Sequence, residues 1–275
     1  MSNWAHNDEV VTNLLRHGFY STVFQPIVDA AEGSPFGYEA LLRGPVGTPF
    51  ESPGPLFNRD GQLSGNVLLQ LDMACVGSAL RTARLLHPET RLFINILSST
   101  LLEISNDLTG FHGLLSEVGI SPSRIVFEVS ESTGMENTME VARCAKLFRR
   151  DGFGFALDDI GVRSPYLYHI LWLEPEFVKL DRTFIKDVDS FDRKRDLVEG
   201  IVLMASKMGA ALVVEGVESK QEYETLKGLG VGYMQGFLFG RPVGAEDCEK
   251  LDPGFIRELY RAANGANGHP DIGRD

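Results

Sequence analysis

The sequence predicts an α/β fold of repeated strand-then-helix units, and three observations carry that prediction. Short runs rich in β-forming residues alternate with amphipathic helical windows along the chain. These runs are apolar on both faces, as strands of a parallel sheet covered by helices are. No composition break divides the 275 residues, a length that suits one barrel of about 250 residues. Two closures satisfy the pattern, an open doubly wound sheet and a TIM-like (β/α)8 barrel. No Gly-x-Gly-x-x-Gly follows the first strand, so a dinucleotide fold has no support and the barrel is preferred.

The elements follow in order. Residues 1–19 read as a helical extension, 20–262 as the barrel domain and 263–275 as a flexible tail. Ser21–Val28 (STVFQPIV) is rich in β-formers, and Phe36–Leu42 carries the next apolar run. Between Gly44 and Gly65, five Gly and four Pro exclude a long helix, and a loop of that length is usually functional or mobile. Leu69–Leu86 takes the helical period, with Leu71, Ala74, Ala79 and Leu85 among its apolar positions. Arg91–Ile96 (RLFINI) and Arg124–Val129 (RIVFEV) are strands. Glu136–Arg150 is a helix with Val141, Ala145 and Phe148 on one stripe, stopped by Asp151-Gly152. Phe153–Leu157 and Phe177–Leu180 are strands, Asp192–Met208 is a long helix and Ala211–Val214 a strand. Ser219 and Glu222 form a capping box for a helix that runs to Lys227. Val231–Phe239 is the last β-like run, followed by a helix at Asp252–Ala263 and a frayed end from Asn264 to Asp275.

Composition narrows the function. Lys and Arg number 26 against 38 Asp and Glu, a formal net charge of −12. Duplex DNA is disfavoured as a partner, because its phosphates demand a concentrated positive field. A small phosphate ligand is not, since a metal or one arginine can supply positive charge locally. The cluster Arg193-Lys194-Arg195 reads as the solvated first turns of a helix. Cys75, Cys144 and Cys248 are far apart with no CxxC spacing, as expected of thiols in a reducing compartment. The first residues show no secretory signal, and the apolar stretches fall far short of the roughly 20 residues needed to span a bilayer. No membrane role and a cytoplasmic location are therefore expected.

The informative feature is where the polar residues sit. Glu39, Asn95, Glu128, Asp158 with Asp159, Lys179, Glu215 and Gln235 each lie in or directly after an apolar strand. Any one of them alone would be a cap or a loop residue. Together they point to one place, because in a (β/α)8 barrel the C-terminal strand ends converge on a single mouth where reactive groups collect. Buried carboxylates repel one another and lose hydration unless a cation compensates them. The ligand atoms are oxygens, with no His-x-x-x-His and no cysteine set, so Mg²⁺ or Mn²⁺ fits better than structural zinc. The adjacent pair Asp158-Asp159 can bridge two cations, a standard device for splitting a phosphodiester. Lys179 can then orient water or stabilise charge. Arg43, four residues after Glu39, can reach a substrate phosphate.

At these residues the chain resembles the EAL-domain family of cyclic di-guanylate phosphodiesterases. The motif of the name is Glu39-Ala40-Leu41 within YEALLRGP. FQPIV (Phe24–Val28), FINI, FEVSE, ALDDIG (Ala156–Gly161), VKLD (Val178–Asp181), VVEGVE (Val213–Glu218) and LGVGYMQGFLFGRP (Leu229–Pro242) follow in order. The resemblance implies a TIM-like barrel with one antiparallel strand near its start. It implies Glu39, Asn95, Glu128 and Asp158 as ligands of a first cation, and Asp158 bridging to a second held by Asp159 with Glu218 or water. Lys179 and Glu215 then hold or activate the attacking water, Gln235 supports that network, and Gln25, Leu42 and Arg43 contact the ligand. The implied cofactors are two divalent cations, Mg²⁺ or Mn²⁺. The implied ligand is cyclic di-GMP, opened to linear pGpG, and the implied assembly a homodimer.

Two departures from the family pattern stand out. The usual DDFGTGYSSL reads DDIGVRSPYL here, from Asp158 to Leu167. In the family this loop links substrate and metal binding to the dimer contact. Pro165 narrows its own φ and restricts Ser164, which alters the support expected for Asp159 and Glu131. Active relatives often carry Cys-Asp where this chain has Val231-Gly232. Three readings follow: a metal-dependent phosphodiesterase, a cyclic di-GMP-binding domain with little or no turnover, and a partner-binding domain that has lost the ligand.

Overall fold

The computed structural model describes residues 4–48, 51–52, 57, 63–130, 138–160 and 166–248. The predicted helix Asp252–Ala263, the tail, half of the Gly44–Gly65 loop and the altered stretch 161–165 lie outside them. The elements run α1 (Trp4–His17), β1 (Ser21–Asp29), β2 (Ser34–Arg43), α2 (Gly65–Ala83), β3 (Arg91–Asn95), α3 (Ser98–Asn106) and α4 (Leu108–Val118). They continue with β4 (Ile125–Ser130), α5 (Thr138–Arg150), β5 (Gly154–Ile160), α6 (Tyr166–Leu173), β6 (Phe177–Leu180) and α7 (Arg182–Ile185). The last are α8 (Asp192–Lys207), β7 (Ala211–Val214), α9 (Lys220–Gly228), β8 (Tyr233–Gln235) and α10 (Ala245–Cys248).

The eight strands close into a barrel in sequence order. β1 is antiparallel to both its neighbours, β2 and β8, and every other pairing is parallel. The barrel closure is thus the one adopted, with the antiparallel strand at its start. Residues of both strand faces are buried, as the continuous apolar runs require: β4 and β6 are buried along nearly their whole length. One face meets the helices in a core that includes Leu92, Ile94, Phe127, Leu157 and Val214. The other face fills the barrel.

That inner face is layered, and the layering builds the site. Ile27, Phe93, Val126, Ala156, Phe177 and Val213 form an apolar floor, joined by Phe36 and Tyr233. The Phe36 and Tyr233 rings lie 4.2 Å apart and those of Phe93 and Phe177 5.2 Å apart, each contact worth about 0.5–1.5 kcal/mol beyond area burial. Strand side chains on one face recur every second residue. Two positions up each strand from the floor therefore come Asn95, Glu128, Asp158, Lys179, Glu215 and Gln235, with Glu39 on β2 and, on the reversed β1, Gln25. The floor lies on the N-terminal side of this polar layer, and the layer sits toward the C-terminal mouth.

Several expectations shift. α3, α4 and α6 carry no sequence prediction above; α3 and α4 are short and separated by Asp107, whose carboxylate accepts from Gly110 N–H at 3.0 Å as the cap of α4. The predicted run Val231–Phe239 is a strand only at Tyr233–Gln235. Beyond Gln235 the chain turns, because Gly236 lies against the Val217 backbone: a Cβ there would fall 2.1 Å from Val217 O. The basic cluster opens α8 as expected, where Lys194 donates to the carbonyls of Thr183 at 2.9 Å and Lys186 at 2.6 Å, while Arg195 pairs with Asp192. Cys75, Cys144 and Cys248 are free thiols. No helix among the described residues is long and apolar enough to cross a membrane.

Candidate functional site

Strand alternation brings Glu39 into the barrel while its neighbours Tyr38 and Ala40 face the helices. Its two carboxylate oxygens are each held by an amide. Asn95 Nδ2 donates to Oε1 at 2.8 Å and Gln235 Nε2 to Oε2 at 2.7 Å. Gln235 Nε2 also donates to Gln25 Oε1 at 3.0 Å, and Gln25 Nε2 to the carbonyl of Gly240 at 3.2 Å. A chain of amides thus links the turn after β8 to Glu39 through β1.

Lys179 is fully buried at the centre. Its Nζ lies 2.5 Å from Glu215 Oε1, 2.8 Å from Glu128 Oε1, 3.5 Å from Glu39 Oε2 and 3.8 Å from Asp158 Oδ1. Burial opposes its charge, but Asp158, Glu128, Glu215 and Glu39 together raise it well above the ordinary lysine value, so it stays an ammonium. The ring of acids thus favours the charged form of Lys179. Burial also acts on the acids. It pushes Glu128 well above the usual carboxylate range, opposed by Lys179 and helped by repulsion from Glu39, Asp158 and Glu215. It pushes Glu215 up to about 8, helped by Asp158 and Glu39 against Lys179. At Glu39 the same burial is overcome by the Lys179 charge and by the hydrogen bonds from Gln235 and Asn95, which hold its carboxyl below its ordinary value.

Among the described residues, no three His, Cys, Asp or Glu side chains form a ready metal-ligand group. The carboxylates instead surround the Lys179 ammonium. The donor chemistry nevertheless fits a hard divalent cation: four oxygen-bearing side chains from β2, β3, β4 and β5, with no sulfur or imidazole among them. Glu128 Oε2 is buried without a hydrogen-bond partner, and Oε1 meets the Lys179 ammonium that three other acids share, a cost a cation would offset.

The remaining predicted residues are placed as follows. Asp159 belongs to β5, but its side chain, like all of Glu131, lies outside the described residues. Arg43 ends β2 on the same face as Glu39, its Nη1 donating to the carbonyl of Leu42 at 2.8 Å. Leu42 faces the other way and packs on the small core of Val11, Leu63, Val67 and Leu71. Glu218 is not brought into the cluster. Its Oε2 lies 2.7 Å from Arg182 Nη2, and Arg182 Nη1 donates to the carbonyl of Gly216.

Arg182 escaped the sequence reading, although a basic residue three positions after Lys179 at a helix start was a usable signal. Asp181 caps that short helix by accepting from Thr183 N–H at 2.8 Å, which sets Arg182 over the turn after β7. Gly216 in that turn has φ +74°, and a Cβ would lie 2.6 Å from Arg182 Cβ. Only glycine admits both the left-handed backbone and the arginine stem. The turn Glu215–Glu218 is thus clamped by Arg182 and, through Val217 N–H on Gln235 O at 3.0 Å, by β8.

Comparison with known proteins places this barrel among relatives of known kind. The bifunctional diguanylate cyclase/cyclic di-GMP phosphodiesterase MucR of Pseudomonas aeruginosa is 28% identical over 232 residues, 81% of this chain and 33% of that protein. The cyclic di-GMP phosphodiesterase NbdA of the same organism is 28% identical over 248 residues, 89% of this chain and 31% of that protein. This chain therefore spans about a third of the length of these curated relatives. The PaMucR phosphodiesterase in its c-di-GMP complex superposes with TM-score 0.75 at 25% identity, covering 90% of this chain and 100% of that one. Klebsiella pneumoniae BlrP1 in a calcium/c-di-GMP complex superposes with TM-score 0.72 at 26% identity, over 82% of this chain and 56% of that one. The sequence profile of the EAL domain matches residues 8–242, a span that holds all eight strands and the whole polar layer: the chain belongs to the EAL-domain family.

Proposed function

We propose that this chain binds cyclic di-GMP at the C-terminal mouth of the barrel. The observation that carries the reading is the polar layer built around Glu39 and Lys179, placed over an apolar floor. Glu39, Asn95, Glu128 and Asp158 would hold one divalent cation, and Asp158 with Asp159 a second, Mg²⁺ or Mn²⁺. Cations there offset the excess of carboxylates and receive the ligand's phosphates, which an acidic chain otherwise repels. Arg43, on the face of Glu39, and Gln25 supply donors at the rim. PaMucR and BlrP1, both solved as c-di-GMP complexes, share this fold over 90% and 82% of this chain, which supports cyclic di-GMP as the ligand class. The test is calorimetric titration of the purified chain with cyclic di-GMP in Ca²⁺. Saturable binding that Glu39→Ala abolishes supports the reading, and no binding with the cation present overturns it.

Hydrolysis to pGpG is the second reading, favoured by Lys179 standing 2.5 Å from Glu215. Bound cations supply charge at phosphorus and a more acidic water. With cations held there to offset the neighbouring acids, Glu215 in its ionised form would accept a proton from the attacking water, the Lys179 ammonium would keep that water aimed, and the P–O3′ bond of one ester would break as the 3′ oxygen leaves and takes up a proton. Gln235 and Asn95 hold Glu39 so that it cannot turn away. The altered stretch after Asp159 is what separates binding from turnover. Chromatography of cyclic di-GMP incubated with the chain in Mg²⁺ or Mn²⁺ decides: pGpG, absent with Glu39→Ala, establishes the hydrolase. A homodimer in a cytoplasmic setting completes the proposal, and light scattering checks the dimer.

A further inference from the structure

Helix α2 carries one buried acid whose partner lies on another element. Asp72 is 3% exposed, and its Oδ2 accepts the N–H of Leu97 at 2.8 Å. Leu97 precedes α3 with an extended backbone and has no side chain able to cap it. The first N–H groups of a helix need an acceptor, and a carboxylate is favoured there. Asp72 supplies from α2 the cap that the local sequence lacks.

The capped turn begins at the site. Asn95, Ile96 and Leu97 are consecutive, and each is tied to a different element. Asn95 Nδ2 donates to Glu39 Oε1 at 2.8 Å, Ile96 N–H to the carbonyl of Glu128 at 3.0 Å, and Leu97 N–H to Asp72. The first two ties end on residues of the polar layer. The third fixes the chain two residues beyond Asn95, and with it the aim of the Asn95 amide. If α2–α3 packing were the only task, an apolar side chain would serve at a lower desolvation cost.

We infer that Asp72 is a positioning residue for Asn95 and, through it, for cation binding at Glu39, Asn95, Glu128 and Asp158. The inference rests on the reading above that these residues hold a divalent cation. Orientation by outer partners of a ligand is worth 10- to 100-fold in metal affinity, as an order of magnitude.

The experiment uses the full chain with Asp72→Leu, which removes the acceptor while filling the space, and Asp72→Asn, which keeps an acceptor for Leu97. Mn²⁺ affinity is measured by calorimetry in the wild-type and Asn95→Ala backgrounds. Asp72→Leu is expected to weaken Mn²⁺ about tenfold, and Asp72→Asn about twofold or less. In the Asn95→Ala background Asp72→Leu is expected to cost nothing further. An unchanged affinity in folded Asp72→Leu, or the same loss in both backgrounds, overturns the inference. A second arm needs no cation: by NMR, Asp72→Leu is expected to speed amide exchange at Leu97 and shift the Asn95 side-chain amide. Should the wild type bind no Mn²⁺, the cation reading fails while this arm still decides whether Asp72 aims Asn95. An unmoved Asn95 signal overturns the positioning role.

Discussion

Lys179 Nζ and Glu215 Oε1 are 2.5 Å apart on adjacent strands, at the centre of a layer in which Glu128, Glu39 and Asp158 also face the same ammonium. The strand register sets the pair: Lys179 lies opposite Val213, so Glu215, two positions on, stands beside its head group. In water such a pair contributes little, but here Lys179 is wholly buried and several acids depend on it.

Lys179→Met removes that charge while keeping most of the volume. Breaking a buried ion network costs about 3–5 kcal/mol when charge is left behind. Glu128 and Glu215, already pushed up by burial, can escape by protonating. The loss is therefore expected to be larger at pH 8.5 than at pH 5.5, read from thermal unfolding in a chelator. Equal losses at both pH values would show that the ammonium does not compensate the acids. Turnover, where the chain has it, is expected to fall by about 10²-fold or more.

Arg182→Met releases Glu218 and the carbonyl of Gly216. Arg182 and Glu218 are 32% and 45% exposed, so the pair is worth less than about 1 kcal/mol of stability. Its effect belongs to geometry, since the same turn carries Glu215. Turnover, where the chain has it, is expected to drop between about 10- and 100-fold with the melting temperature almost unmoved. A fall in melting temperature that tracks the loss of activity would make Arg182 a structural residue instead.

Gly236→Ala tests the amide chain from its far end. The added Cβ would meet Val217 O at 2.1 Å and Val217 N at 2.3 Å, both backbone atoms that cannot swing aside. Overpacking of this kind costs about 1–3 kcal/mol. The turn that carries Gln235 must shift, and with it the 2.7 Å bond to Glu39. Weaker cyclic di-GMP binding by calorimetry together with a lower melting temperature is the expected result. Full affinity would mean that Gln235 does not depend on the turn.

The strand pattern made the barrel and most of its polar layer legible in the sequence. A polar residue inside an apolar, two-faced strand has few places to go, which is why Glu39, Asn95, Glu128, Lys179 and Gln235 could be named in advance. Residues that act across elements were not legible. Asp72 lies amid an ordinary helical pattern, and only the packing of α2 on α3 gives its carboxylate a partner at Leu97. Arg182 and Glu218 are 36 positions apart, and their pairing follows from the meeting of two strand ends. Leu42 sits next to Arg43 in the motif, yet strand parity sends it to the helices. The sequence pattern runs past the end of β8 because aromatic and apolar residues continue through Phe239, while the close backbone contact at Gly236 ends the strand at Gln235.

Asp72 also sets a pH dependence that can be separated from the mouth. Burial pushes its carboxyl from an ordinary 3.8 up to about 6, against the favourable hydrogen bond from Leu97 N–H. Because the folded value is raised, the native state holds this proton more tightly than the unfolded chain does. The stabilisation is complete below about pH 4 and is lost as pH rises through about 6. Asp72→Asn mimics the protonated form and lacks this titration. Its stability relative to wild type is therefore expected to rise by about 2 kcal/mol between pH 4 and 7, most of the size of the shift. Denaturant unfolding of both proteins across that range, in a chelator, measures the difference. A flat difference would place the Asp72 carboxyl near its ordinary value and mean that the Leu97 N–H compensates burial completely.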